Sequence, residues 1–100
     1  MTRATQADQR LADGTSNQGS ITATLRSLIK IFGQPNGQPS DKTTVEWVLQ
    51  FENGTVATVY DWKRDEYGLG EIDLDELVDW NIGGFDNDAY EQVRRAVRLG

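Results

Sequence analysis

Residues 45–63 read VEWVLQFENGTVATVYDWK, in which two runs of alternating apolar residues flank Asn53-Gly54. Asn-Gly between such runs is the strongest short-range indication of a β-hairpin, because both residues tolerate the positive φ of a type I′ turn. A two-residue turn fixes the register and predicts that alternate residues of both strands form one core-facing side. The predicted core-facing pairs are Phe51 with Val56, Leu49 with Thr58, Trp47 with Tyr60 and Val45 with Trp62.

The same register places Glu46 opposite Asp61 on the other side of the hairpin. Like charges directly opposite each other destabilise a strand pair by a few tenths to about 1 kcal/mol. We expect both carboxylates to splay into water near Lys63 and Arg64. A bound cation or a basic partner is the alternative.

Patterns on either side of the hairpin predict two helices and a third strand. Thr24 is the expected N-cap of a helix over 24–32, whose apolar residues fall on one face. The sequence around Trp80 predicts a short third strand over 79–82, which ends in a tight turn at Gly83-Gly84. A final helix over 87–98 follows. These elements predict an α+β fold, in which two helices pack on a small antiparallel sheet built on the hairpin over about 43–62.

The first residues differ in composition from the rest of the chain. Residues 1–19 are polar and have only Leu11 and a few alanines as apolar content, so burial cannot offset their ordering entropy. We therefore expect a flexible N-terminal arm over 1–19 and a single α+β domain over 20–100.

Composition excludes several functional classes. The 100 residues include no cysteine and no histidine, which removes thiolate nucleophiles, the commonest general base and the commonest transition-metal ligands. We expect no enzyme activity, no cofactor and no metal site. The sequence lacks a long apolar run and a secretory pattern, which predicts a cytoplasmic protein that does not bind membranes.

Acidic residues are concentrated in one part of the chain. The net charge is −6, and residues 65–88 include nine acids and no lysine or arginine. This charge argues against direct nucleic-acid binding and favours a basic protein partner. The predicted partner surface is Asp65, Glu66, Glu71, Asp73, Asp75, Glu76 and Asp79.

Aromatic residues suggest a second kind of site. Tyr60, Trp62 and Trp80 could stack on a nucleotide base, with Arg94 and Arg95 as basic groups. Aromatic residues at alternating strand positions of so small a domain more often belong to the core. We keep nucleotide binding as the alternative to a protein-binding function.

Several short segments, taken in order, resemble a group of small bacteriophage proteins whose function is not established. They are Gly33-Gln34-Pro35, Glu46-Trp47, FENGTVATVYDWK over 51–63 and WNIGG over 80–84, and the resemblance covers about residues 20–85. Members of this group often have histidine at the position of Asn81. The resemblance implies an origin in a phage genome and, with it, a location in the host cell cytoplasm.

Three functions are compatible with these features. The first is a viral inhibitor that antagonises a host defence or nucleic-acid-handling protein by stoichiometric binding through the acidic surface. The second is a homo-oligomeric sponge that sequesters a signalling nucleotide. The third is a non-essential accessory phage protein, in which the acids serve only solubility.

Overall fold

The computed structural model of the protein describes residues 4–37, 45–61 and 73–99. These residues form five strands, two α-helices and a short 3-10 helix. In chain order the elements are β1 (Ala4–Gln6), the 3-10 helix Gln9–Ala12, β2 (Ser16–Thr24), α1 (Leu25–Phe32), β3 (Glu46–Phe51), β4 (Val56–Tyr60), β5 (Leu77–Gly84) and α2 (Asn87–Leu99).

The five strands form one sheet in the order β1-β3-β4-β5-β2, and every neighbouring pair is antiparallel. The predicted α+β fold, with a hairpin-based antiparallel sheet and two helices, is confirmed. The third predicted strand is longer than 79–82, because β5 begins at Leu77 and includes Gly84. It is an inner strand that pairs with β4 on one side and β2 on the other.

The predicted hairpin register is wrong by one residue. Trp47 pairs with Val59, and Leu49 pairs with Ala57. Phe51 O accepts a hydrogen bond from Gly54 N at 2.9 Å, and Phe51 N donates to Thr55 O at 2.9 Å. The loop therefore has three residues, 52–54, and only Gly54 takes a positive φ, of 90°. This is the three-residue hairpin loop with a left-handed glycine at its last position.

The change of register exchanges the two sets of β4 side chains between the sides of the sheet. A shift of one residue sends every side chain of a strand to the opposite side of the sheet. Ala57 and Val59 therefore lie in the core with Trp47 and Leu49, whereas Tyr60 does not. Asp61 lies opposite Val45 and not opposite Glu46, and its Oδ1 accepts a hydrogen bond from Val45 N at 2.8 Å.

Both helices pack on one side of the sheet, here called the helix face. Thr24 caps α1 as predicted, with its Oγ1 accepting from Ser27 N at 3.1 Å. Trp47 and Trp80 are fully buried at the centre of this face and meet edge to face, with ring centroids 5.5 Å apart. The helices contribute Leu28, Phe32, Ala89 and Val93 to the same core.

Residues 4–6 and 16–19, which belong to the predicted flexible arm over 1–19, are strand residues in the structure. Ala4–Gln6 pair with β3 at one edge of the sheet, and Ser16–Thr24 pair with β5 at the other edge. Asn36 Nδ2 donates to Ala7 O at 3.0 Å, which fixes the chain between these strands. Edge pairing satisfies backbone groups without a large apolar content, so a polar composition did not exclude it.

The two glycines at the end of β5 also differ from the prediction of a tight turn. Gly83 and Gly84 are strand residues, and each lies under a close neighbour on its own side of the sheet. A Cβ at Gly83 would overlap Thr58 Oγ1, and a Cβ at Gly84 would overlap Ala89 Cβ. Gly83 therefore leaves room for the Thr58 side chain, and Gly84 allows α2 to approach β5 closely.

Candidate functional site

The described part of the predicted acidic surface is a seven-residue segment that leads into β5. Residues 73–79, DLDELVD, include Asp73, Asp75, Glu76 and Asp79. We call residues 73–79 the acidic leucine segment. The other predicted acids, Asp65, Glu66 and Glu71, lie outside the described residues.

The acidic leucine segment is a turn followed by a strand. Glu76 N donates to Asp73 O at 3.2 Å, which closes the turn, and β5 begins at Leu77. The sequence left helical turn and strand as alternatives here, and the structure has a turn and then a strand. Asp73, Asp75 and Asp79 are exposed to solvent, while Glu76 is half-buried.

Three contacts hold this segment against the end of β2 and the start of α1. Arg26 Nε lies 2.8 Å from Asp75 Oδ1, and Arg26 N donates to Leu74 O at 3.0 Å. Thr22 Oγ1 donates to Asp79 Oδ1 at 2.6 Å. The hydrogen bond and charge of Arg26 lower the pKa of Asp75, and those of Asp75 raise the pKa of Arg26. The Asp75 carboxylate is therefore favoured in its ionised form, paired with Arg26.

Two leucines of the segment are exposed to solvent, and the sequence had not predicted this exposure. Leu77 is 70% exposed and Leu74 is 43% exposed. Leu74 lies with Arg26, Asp73, Asp75 and Glu76 around an open depression of about 700 Å³. Because alternate strand residues face opposite sides of the sheet, Trp80 and Val78 on the helix face place Leu77 on the other side. This alternation is the signal that could have indicated the exposure of Leu77.

The predicted stacking residues that the structure describes, Tyr60, Trp80, Arg94 and Arg95, do not form one site. Trp80 is fully buried on the helix face and donates from Nε1 to Ala23 O at 3.0 Å, so it offers no ring face to a ligand. Tyr60 lies on the opposite side of the sheet. Arg94 and Arg95 belong to α2, where Arg94 pairs with Glu91 at 2.9 Å. Trp62 lies outside the described residues.

A polar pocket lies on the side of the sheet away from the helices. The pocket has a volume of about 320 Å³, between the chain around the 3-10 helix and strands β3, β4 and β5. Its walls include Glu46, Thr58, Tyr60 and Gly83. Gly37 packs directly on Glu46, and its N donates to Glu46 O at 2.8 Å.

Glu46 is the ionisable group of this pocket with a shifted pKa. Burial raises the pKa of the Glu46 carboxyl, and the nearby charge of Asp61 raises it further. Above this pocket, Asn17 Nδ2 donates to Asn81 Oδ1 at 3.1 Å and lies 3.4 Å from the Tyr60 hydroxyl. The arrangement offers hydrogen-bonding groups to a small polar molecule.

No model of a protein family matches the chain, and neither does any curated protein. In the described ranges no helix has the length and apolar content to cross a membrane. Across those same ranges, no three acidic side chains converge in an arrangement that could hold a metal ion. Among the described residues, the acidic leucine segment and the Glu46 pocket are two surface features that bear on function.

Proposed function

We propose that the protein is a phage-type inhibitor that binds a host defence or nucleic-acid-handling protein stoichiometrically through the acidic leucine segment. The observation that carries this proposal is the 70% exposure of Leu77 between the acids Glu76 and Asp79. Acids that served only solubility would need no leucine among them. Apolar groups at the centre and charges at the rim are the usual composition of a protein-binding surface.

The energetics of such a surface favour a specific partner. Complete burial of a leucine side chain contributes about 1.5–3 kcal/mol, so Leu74 and Leu77 together could supply a central apolar contact. The surrounding carboxylates add long-range attraction to a basic surface and raise the association rate. A basic surface that normally binds nucleic acid has the matching charge, and the inhibitor would compete with the nucleic acid for it.

The segment is held in place before a partner arrives, which also supports the proposal. Arg26 fixes the turn through Asp75 and Leu74, and Thr22 fixes Asp79 at the start of β5. A surface that is already ordered loses less conformational entropy on binding than a flexible loop does. Less of the favourable free energy from the leucine and acid contacts is therefore offset by ordering of the segment.

The proposal can be tested by affinity purification of the tagged protein from its bacterial host, followed by native mass spectrometry. We expect a host protein in a complex of fixed stoichiometry. A variant with Asp73→Lys and Asp79→Lys should lose that protein. A matched variant with Asp13→Lys and Glu52→Lys has the same net charge and changes exposed acids elsewhere on the surface, so it should retain the protein.

Binding measurements with the purified host protein then separate charge from apolar contact. Leu77→Ser should weaken binding at every salt concentration, whereas the Asp73 and Asp79 changes should also reduce the dependence of affinity on salt. Equal affinity and equal salt dependence for wild type and the Asp73/Asp79 variant would refute the proposal. Failure to recover any host protein in a fixed stoichiometry would refute it as well.

A further inference from the structure

The outer edge of β2 is the longest strand edge that the described residues leave without a neighbour. β2 has nine residues, Ser16–Thr24, and pairs with β5 on one side only. Within residues 4–37, 45–61 and 73–99 no strand pairs with its other side. Such an edge presents a row of backbone N–H and C=O groups that can bond to another strand.

This edge has neither charged side chains nor prolines to protect it, and its one bulge lies near its start. Natural proteins protect their sheet edges with charged side chains, prolines, bulges or very short strands. Residues 14–25, GTSNQGSITATL, include neither a charged residue nor a proline, although 26% of the whole chain is charged. The opposite edge is protected because its strand, β1, is very short, with only three residues.

A bulge limits the free part of the edge to the second half of β2. The register with β5 shifts between Asn17 and Gly19, and the pairing is regular from Gly19 to Thr24. This regular run is six residues long. Ser20 and Thr22 are exposed on one side of it, and Ile21 is half-buried on the helix face. Another strand beside β2 would cover the open side of Ile21.

We propose that a second copy of this chain pairs with β2, antiparallel and about a two-fold axis, so that the two five-stranded sheets form one sheet of ten strands. An antiparallel pair of identical strands satisfies both edges reciprocally, because each copy donates and accepts the same bonds. Residues 19–24 lie at the centre of this dimer interface. This inference does not depend on the acidic leucine segment or on a host partner.

Charge favours a second copy at this edge. Two molecules with a net charge of −6 repel each other, and this repulsion is weakest where neither presents a charge. Residues 14–25 at this edge include no charged side chain, so repulsion between two copies is weakest there. The acid nearest to it along the regular run, Asp79, lies one strand further in and is hydrogen-bonded to Thr22.

Helix α2, which packs over this edge, has residues that are suited to the same dimer interface. Tyr90 of α2 packs on Gly19, where a Cβ would lie 2.7 Å from the Tyr90 ring. The Arg94 guanidinium carbon lies 5.8 Å from the centre of that ring. Tyrosine and arginine are enriched at protein interfaces. The two-fold axis would bring this flank of α2 near the same flank of its copy.

Sedimentation equilibrium and light scattering of the full chain test this inference. We expect a mass of twice 11.2 kDa that falls toward 11.2 kDa on dilution. Thr22→Lys should weaken the dimer by about tenfold or more, because two ammonium groups would meet at the dimer interface. In the monomer that lysine faces Asp79, so the fold is retained. Thr5→Lys, on the opposite edge strand β1, is the matched control and should leave the dimer intact.

Hydrogen exchange supplies a second measurement that needs no variant. The amides of residues 19–24 should exchange more slowly at high protein concentration than at low concentration. A mass of 11.2 kDa at every concentration up to millimolar would overturn the inference. A dimer that Thr22→Lys leaves unchanged, or that Thr5→Lys weakens equally, would overturn it too.

Discussion

Thr55 Oγ1 donates a hydrogen bond to Asp88 Oδ2 at 2.8 Å, and this contact joins the hairpin loop to the first turn of α2. Gln92, one turn further along the helix, donates from Nε2 to the same carboxylate oxygen and to Asn53 Oδ1, each at 2.9 Å. The loop between β3 and β4 is therefore anchored by helix side chains. Asp88 also lies in the first turn of α2, where the helix dipole favours a negative charge.

The Asp88 carboxylate should make stability depend on pH in the acid range. Hydrogen bonds from Gln92, Thr55 and Asn53 lower the pKa of Asp88 in the folded protein. Its contribution is thus complete above the ordinary aspartate pKa of about 3.9 and is lost as the pH falls through the lower folded value. We expect Asp88→Asn to lower the urea midpoint at pH 7, with the difference shrinking toward pH 2.

Asp13→Asn, at an exposed aspartate with no such donors, serves as the control and should change neither midpoint. If Asp88→Asn lowers the midpoint by the same amount at both pH values, the ionised carboxylate is not the stabilising species.

Glu46 should have the opposite effect on stability. Its folded pKa is raised, first by burial and then by the charge of Asp61. Since the folded state binds the proton more tightly, stability falls as the pH rises from the ordinary glutamate pKa of about 4.3 through the higher folded value. Glu46→Gln should therefore increase the free energy of unfolding at pH 7 by a few tenths to about 1 kcal/mol, a figure reduced for screening by solvent.

Urea unfolding at pH 3 and pH 7 checks this expectation. Below both pKa values the two proteins should have closer stabilities, and Glu52→Gln on the exposed loop should show no effect at either pH. A Glu46→Gln protein that is less stable than wild type at pH 7 would mean that the ionised side chain stabilises the fold.

Gly84 and Ala89 should be energetically coupled. A methyl group at position 84 would overlap the Ala89 side chain, so Gly84→Ala should cost about 1–3 kcal/mol of unfolding free energy. Ala89→Gly removes the obstructing atom and should recover part of this loss in the double variant, which is measured by a double-mutant cycle.

Gly54→Ala is the comparison for this pair of variants. Its Cβ would meet nothing within 4 Å, and its φ of 90° makes the cost one of backbone strain. We therefore expect Ala89→Gly to leave the Gly54→Ala loss unchanged. Strict additivity of Gly84→Ala and Ala89→Gly would argue against close contact between β5 and α2.

Trp80 should behave as a core residue in every measurement. It is fully buried against Trp47. Trp80→Ala should cost about 3–5 kcal/mol, whereas Trp80→Phe, which loses the bond to Ala23 O but retains an aromatic ring, should cost less. In a Trp62→Phe protein the remaining tryptophans should emit at short wavelength and resist quenching by acrylamide. Strong quenching, or a change in emission on adding nucleotide, would contradict this burial.

The hairpin shows how far the sequence predicted the fold. The apolar alternation of β3 correctly assigned Trp47, Leu49 and Phe51 to the core. For β4 the alternation is ambiguous, because Val56 and Tyr60 on one side and Ala57 and Val59 on the other are both apolar sets. The loop length decides between them, and Asn53-Gly54 is compatible with loops of two or three residues.

Long-range pairing explains the other differences between prediction and structure. The polar residues 4–6 and 16–19 have no apolar pattern, and their strand conformation depends on partners far along the chain. The same holds for the candidate site. Its acids were evident from composition, but the exposure of Leu77 and the contact of Asp75 with Arg26, 49 residues away, depend on the fold.

The strand order also has a consequence for the way the chain folds as it is synthesised. β2 at residues 16–24 has its sheet partner at residues 77–84, and β1 has its partner at residues 49–51. Residues 4–24 are therefore synthesised long before the strands to which they bond. The sheet cannot close until β5 has been synthesised, so its assembly depends on contacts of long sequence separation.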